Sequence, residues 1–216
     1  MRGGVTGMTI VPTIAALLAA GCAKETPKLP TDPIERAATC GIVAAATERE
    51  AAGVKGDLSA EAQGRIFHYP LLAASEGTAF DDTKANAVFK RMPQLFDTVV
   101  TGKWQTLRPA CASAYPATQV AQPALPKRPL DAMLQCYVMV EFMRKALGNQ
   151  GAAYTEAVTT YGVLATKIDG KVSPALARIG IKGGDALRDR RARALAAAAK
   201  LGQPPAVIDA CEKKYG

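Results

Sequence analysis

Arg108-Pro109-Ala110-Cys111-Ala112-Ser113-Ala114-Tyr115 and Ile208-Asp209-Ala210-Cys211-Glu212-Lys213-Lys214-Tyr215 lie 100 residues apart in one chain. Both contain Ala-Cys-x-x-x-Tyr. The same offset pairs Gly102 with Gly202, Leu95 with Leu195, and Lys90-Arg91 with Arg190-Arg191. Further upstream, Tyr69-Pro70-Leu71-Leu72-Ala73 pairs with Tyr161-Gly162-Val163-Leu164-Ala165 at an offset of 92. A fixed period of this kind is the mark of an internal repeat. The change of offset places an insertion of about eight residues in the second copy, at Gly180-Ile181-Lys182-Gly183-Gly184.

Each copy reads as roughly four helices, and no strand-like alternation persists anywhere. In the first, Asp32 is an N-cap, Pro33 fits the first helical position, and Glu35 lies in the first turn. That helix runs to Ala52. Ser59 starts a second, ending near Glu76, and Asp81 or Asp82 a third, stopped by Gly102. A short fourth carries Cys111. In the second copy the expected helices are 130–147, 151–168, 173–201 with a break at the glycines, and 204–214. The proline-bearing stretch Pro116 to Pro129 links the copies. The expectation is an all-α, disulfide-bonded helical bundle, with copy one at 31–121 and copy two at 122–216, packed as one globular unit.

The chain has five cysteines. Cys40 and Cys136 fall early in the first helix of each copy, Cys111 and Cys211 in the last. An even number of antiparallel helices returns the chain to its starting end. The expected pairs are therefore Cys40–Cys111 and Cys136–Cys211. None of these cysteines has CxxC or CxxCH spacing, which disfavours zinc ribbons, thioredoxin-like sites and c-type haem. Cys22 is left over, and an odd cysteine in an exported protein needs its own explanation.

The N-terminal sequence supplies one. Arg2 precedes an apolar run from Met8 to Ala20, too short to span a bilayer comfortably and patterned like a secretory signal. It ends in Leu18-Ala19-Ala20-Gly21-Cys22, which resembles the lipobox of bacterial lipoproteins. That resemblance implies a signal peptide over 1–21, cleavage before Cys22, a diacylglycerol thioether on its sulfur and an acylated amino group. Several acyl chains give stable anchoring where one is marginal. Ala23, not Asp, follows the cysteine, and by the same resemblance this implies the outer membrane, facing the periplasm. Residues 22–30 read as a polar, proline-containing tether. The expected location is the cell envelope, with the membrane as partner through the lipid.

Charge is divided unevenly. The whole chain carries +8, yet residues 31–121 net −1 and residues 122–216 net +7. Arg188, Arg190, Arg191 and Arg193 concentrate the excess. They read either as a solvated helix face or as a contact for an anionic envelope surface. Nucleic acid is not expected, since aromatic interleaving is absent.

No catalytic motif stands out. Gly-x-Ser-x-Gly, a Walker loop and HExxH are absent. The glycine-rich 180–184 stretch follows no strand, so it reads as an inter-helix loop. His68 is the sole histidine and reads as a packed or exposed side chain, with Thr160 at the matching position of copy two. Glu48 and Glu50 fall on different helix faces, and Asp81-Asp82 reads as capping. Tyr137 to Met143 makes a helix apolar on most sides, the usual centre of a bundle. No cofactor or metal is expected. The leading expectation is a lipid-anchored envelope protein with a non-enzymatic structural or interaction role. The other is a periplasm-facing module binding a small apolar or anionic ligand between the copies.

Overall fold

A computed structural model describes residues 28–216. The proposed signal peptide, Cys22 and most of the tether lie outside the described residues. The described chain is all-helical: α1 (Pro33–Ala52), α2 (Ala60–Ala73), α3 (Asp82–Thr101), α4 (Arg108–Ala114), α5 (Pro129–Gly148), α6 (Thr155–Arg178), α7 (Gly184–Ala199) and α8 (Pro204–Tyr215), with short 3-10 turns before α4, after α4 and before α6.

Local chemistry sets many of these limits. Asp32 Oδ1 accepts from the Glu35 amide at 2.8 Å. Ser59 Oγ accepts from Ala62 at 3.1 Å. Asp81 Oδ1 accepts from Thr83 and Lys84. Each satisfies amides that the first helical turn leaves without partners. Gly53 closes α1 in the left-handed region at φ 64°. Gly102 caps the end of α3 as expected, with extended backbone.

The second half departs from the expected helix limits. In place of a break between 168 and 173, α6 runs unbroken through Gly170 and Pro174 to Arg178. Leu164, Ile168, Val172 and Leu176 explain why. They recur every four residues, so one apolar row crosses the proline, and all four are buried. Pro174 removes one amide donor, but Gly170, whose carbonyl loses that bond, is exposed to water. The true interruption is Gly180–Gly183, with Gly180 at φ 84°.

The first half is organised around α1, which packs chiefly on α2 and α3. The second is organised around α5, which packs on α6, then α7 and α8. Cys40 is bonded to Cys111 with Cα atoms 5.4 Å apart, tying α1 to α4. Cys136 is bonded to Cys211 at 5.6 Å, tying α5 to α8. Their sequence separations are 71 and 75 residues, loops for which chain entropy gives each link roughly 4 kcal/mol of stabilisation.

Helix α2 joins the halves, touching α5, α7 and α8 as well as α1 and α3. One of its faces places Ile66, Phe67 and Leu71 in a core shared with Met139, Met143, Ile168 and Val207. Another places Tyr69 and Ala73 in a second core with Ala37, Val88 and Trp104. Hydrogen bonds reinforce this junction: Tyr154 Oη donates to the Leu58 carbonyl, Phe80 N to Ala192, and Gln203 N to Val120.

The junction is close because residue 64 has no side chain. A Cβ there would lie 2.7 Å from Pro205 Cγ and 3.1 Å from Met143 Cε. At Gly41 the nearest atom is the terminal methyl of Met92, at 2.9 Å. A proline ring yields less than a methionine end. Gly64→Ala is therefore expected to lose about 1–3 kcal/mol by overpacking. Gly41→Ala should lose less, because Met92 can turn away, whereas the helix propensity regained, up to ~1 kcal/mol, is the same at both sites. Urea unfolding of both variants checks the order, and equal or reversed losses would contradict this account of the junction.

Candidate functional site

A cleft of about 430 Å³ opens between α1, α2, α4 and the turn after α4. Val43, Ala44, Pro109 and Ala112 give it an apolar wall. Arg65, Arg108, Thr47, Gln119 and Gln203 bring polar groups, and His68 and Tyr69 come from α2. All but Gln203 belong to the first half of the chain. Gln203 reaches across, its amide N–H donating to the Thr118 carbonyl at 2.7 Å.

Both arginines in the wall are already engaged. Arg65 meets both carboxylate oxygens of Glu48 at 2.7 Å and Glu61 at 2.6 Å. The Glu48 hydrogen bond is the largest effect on its guanidinium and raises its pKa, against the opposing cost of burial. Arg108 donates to Thr47 at 3.0 Å, pairs with Glu50, and stacks over Trp104 with its Cζ 4.6 Å from the ring centre. Glu48 and Glu50 thus face different arginines from different sides of α1. Burial pushes the Tyr69 phenol above its ordinary range.

His68 is fully buried. Its Nε2 lies 2.7 Å from the Ala199 carbonyl at the end of α7. A carbonyl only accepts, so Nε2 carries the proton and Nδ1 presents a bare lone pair. Nδ1 has no hydrogen-bond partner. Burial dominates its titration and lowers the pKa from 6.5 to about 4, opposed by the bond to Ala199.

The four arginines of α7 do not form one surface. Arg188 and Arg191 border a groove with Tyr137, Phe80 and Phe142. Arg190 and Arg193 border a different hollow with Asp131 and Gln135. Arg188 pairs with Asp185, Arg190 with Asp131 at 2.7 Å, and Arg191 with Asp169 at 4.0 Å while its Cζ stands 4.9 Å from the Tyr137 ring centre. Arg193 is exposed and makes no ion pair among the described residues. All four cysteines of the described chain are buried in the two disulfides. Among the described residues, no group of three His, Cys, Asp or Glu side chains converges as a metal site, and no helix is long and apolar enough to cross a membrane.

The cleft has no local sequence signal. Gln203 and Thr118 are 85 residues apart, and Arg65, Arg108 and Gln119 come from separate segments. No protein-family model, curated protein or solved structure matches this chain.

The histidine makes folding depend on pH with a definite sign. The unfolded chain takes up a proton near 6.5, whereas the folded chain resists until about 4. Stability is complete above the unfolded value and falls as pH drops through this window, by about 3 kcal/mol in all. His68→Phe should flatten that part of the pH–stability curve, whatever its effect at neutral pH. Urea midpoints at pH 7, 5.5 and 4 measure the slope, and a slope surviving in the variant would assign the effect elsewhere.

Proposed function

We propose that this chain is a lipid-anchored protein of the bacterial cell envelope, whose helical body has a non-enzymatic structural or interaction role. The observation that carries the reading is the burial of two disulfides joining distant helices. Such bonds persist in oxidising compartments and are rare in the reducing cytosol. They also use every cysteine after Cys22, and the lipobox-like Leu18-Ala19-Ala20-Gly21-Cys22 gives that residue a chemical role. In this reading the fold begins at α1, a short tether away from the acylated end, and the body sits close to the membrane surface.

Internal duplication is part of the same proposal. Each half opens with a 20-residue helix that starts on a proline, Pro33 or Pro129, and serves as the packing centre. Each closes with a shorter helix that has a proline near its start and carries the partner cysteine. The halves have also diverged: α2 packs against α3, while α6 and α7 make little mutual contact. A duplicated, cross-linked body suits a role in presenting surfaces to other envelope components.

Cys22→Ala tests the anchor directly. Expressed in a lipoprotein-processing bacterium with radioactive palmitate, the unaltered protein should be labelled and sediment with membranes. The variant should lose the label. Soluble, unlabelled, mature protein from the unaltered sequence would overturn the lipid anchor.

A further inference from the structure

We infer that the cleft between α1, α2 and α4 is a binding site for a small monocarboxylate with an apolar body. At about 430 Å³ the cleft falls within the ordinary range of ligand pockets, roughly 300–1,000 Å³. Val43, Ala44, Pro109 and Ala112 offer the apolar surface. The Cys40–Cys111 disulfide and the Arg108–Glu50 contact hold α4 against α1, so these walls stand in place before a ligand arrives.

The charges of the wall select the head group. Among the described residues it holds two guanidiniums, Arg65 and Arg108, against one carboxylate, Glu48. Burial keeps His68 neutral at neutral pH. Arg65 already takes both oxygens of Glu48. The other acids that meet these arginines, Glu61 and Glu50, do not line the cleft, and their side chains are 68% and 53% exposed. Ion pairs this open to water hold weakly. The cleft itself keeps a cationic excess.

The unused hydrogen-bonding groups of the arginines ask for the same ligand. Arg65 gives Nε and one N–H of each terminal nitrogen to Glu48 and Glu61, so each terminal nitrogen keeps a second N–H. Arg108 commits Nε to Thr47 and Nη2 to Glu50, which leaves Nη1 uncommitted. Gln119 and Gln203 each give one amide N–H to Thr118 and keep the other. These donors require an acceptor, and a carboxylate forms the stronger, charge-assisted bonds to a guanidinium. A cation would meet like charge, and an alcohol would leave the excess charge unanswered.

This site is independent of the anchor. Loss of lipid from Cys22 leaves the cleft as it is, so the two readings fail separately.

Nuclear magnetic resonance of the full mature chain, ¹⁵N-labelled, at neutral pH and low salt, tests the assignment. Cyclohexanecarboxylate is the probe. Cyclohexanol and cyclohexylammonium are its uncharged and cationic counterparts, and acetate is the head group without the body. The carboxylate should move the amide resonances of Ala44, Thr47 and Ala112 saturably. It should bind roughly tenfold more tightly than cyclohexanol, the ordinary worth of a charge-assisted bond. Acetate should bind at least ~tenfold more weakly than the probe, having no apolar area to bury, and cyclohexylammonium should give no saturable shift. Arg108→Gln should bring the carboxylate close to cyclohexanol and leave cyclohexanol unchanged. Ala112→Leu narrows the cleft at a half-buried position and should abolish the response. The inference is overturned if the carboxylate gives no saturable shift at these amides, if cyclohexanol or acetate binds equally well, if the cation binds best, if the preference for the carboxylate is unchanged in folded Arg108→Gln, or if the response survives in folded Ala112→Leu. Should a variant not fold, the ranking of the four probes on the unaltered protein decides alone.

Discussion

The approach of α2 to α5 and α8 is the contact on which the remaining architecture depends. Helix α2 is apolar on two faces and cannot be satisfied by one half of the chain. Phe67 and Leu71 belong to the core they share with the second half, Tyr69 and Ala73 to the core built on α1. The helix has to lie between two packing centres at once. A glycine at position 64 lets its backbone come down on Pro205 and Met143. Interiors are close-packed, so a gap here would spread along the whole face. His68 follows from this approach. One turn along from Gly64, its ring is carried to the Ala199 carbonyl and out of water.

The disulfides act at the periphery of this arrangement. Helix α4 has seven residues, too few to be stable by itself in water. Cys111 holds it to α1, while Arg108 meets Thr47 and Glu50 on the same helix. Held at those points, α4 stands beside α1 and α2 without filling the space between them, and that space is the cleft. In the second half the helix carrying the partner cysteine, α8, is longer and packs on both α5 and α6. The same link thus holds a short helix by few contacts in the first half and a longer, better-packed one in the second.

Features set by near neighbours were legible in the sequence. Asp32, Ser59 and Asp81 announce helix starts because a cap acts within one turn. The helical class and the presence of disulfides followed from composition, periodicity and cysteine number, and helix parity selects the same cysteine pairs that the structure bonds. The path of α6 was obscured because Gly170 and Pro174 argue locally for a stop. The buried row from Leu164 to Leu176 argues for continuation, and tertiary packing outweighs the two local preferences. The arginines of α7 look like one cluster in sequence, but 188, 190, 191 and 193 point in different directions around a helix. Arg188, Arg190 and Arg191 each then meet the acid their own side offers, while Arg193 meets none among the described residues. The cleft was invisible because its polar groups come from separate segments, joined by contacts such as Thr118 with Gln203.

His68 makes the closeness of the two halves a source of acid sensitivity. Its Nε2 proton is committed to Ala199, so Nδ1 is the only ring atom at which a second proton can be added. That atom is sealed from solvent and has no partner. Protonation puts a buried charge at the junction of the halves, and burial opposes it more strongly than the bond to Ala199 favours it. The unfolded chain hydrates the same charge freely, so acid draws the equilibrium toward the unfolded state. The approach of α2 to the second half, which closes the core, is thus also the contact that acid loosens.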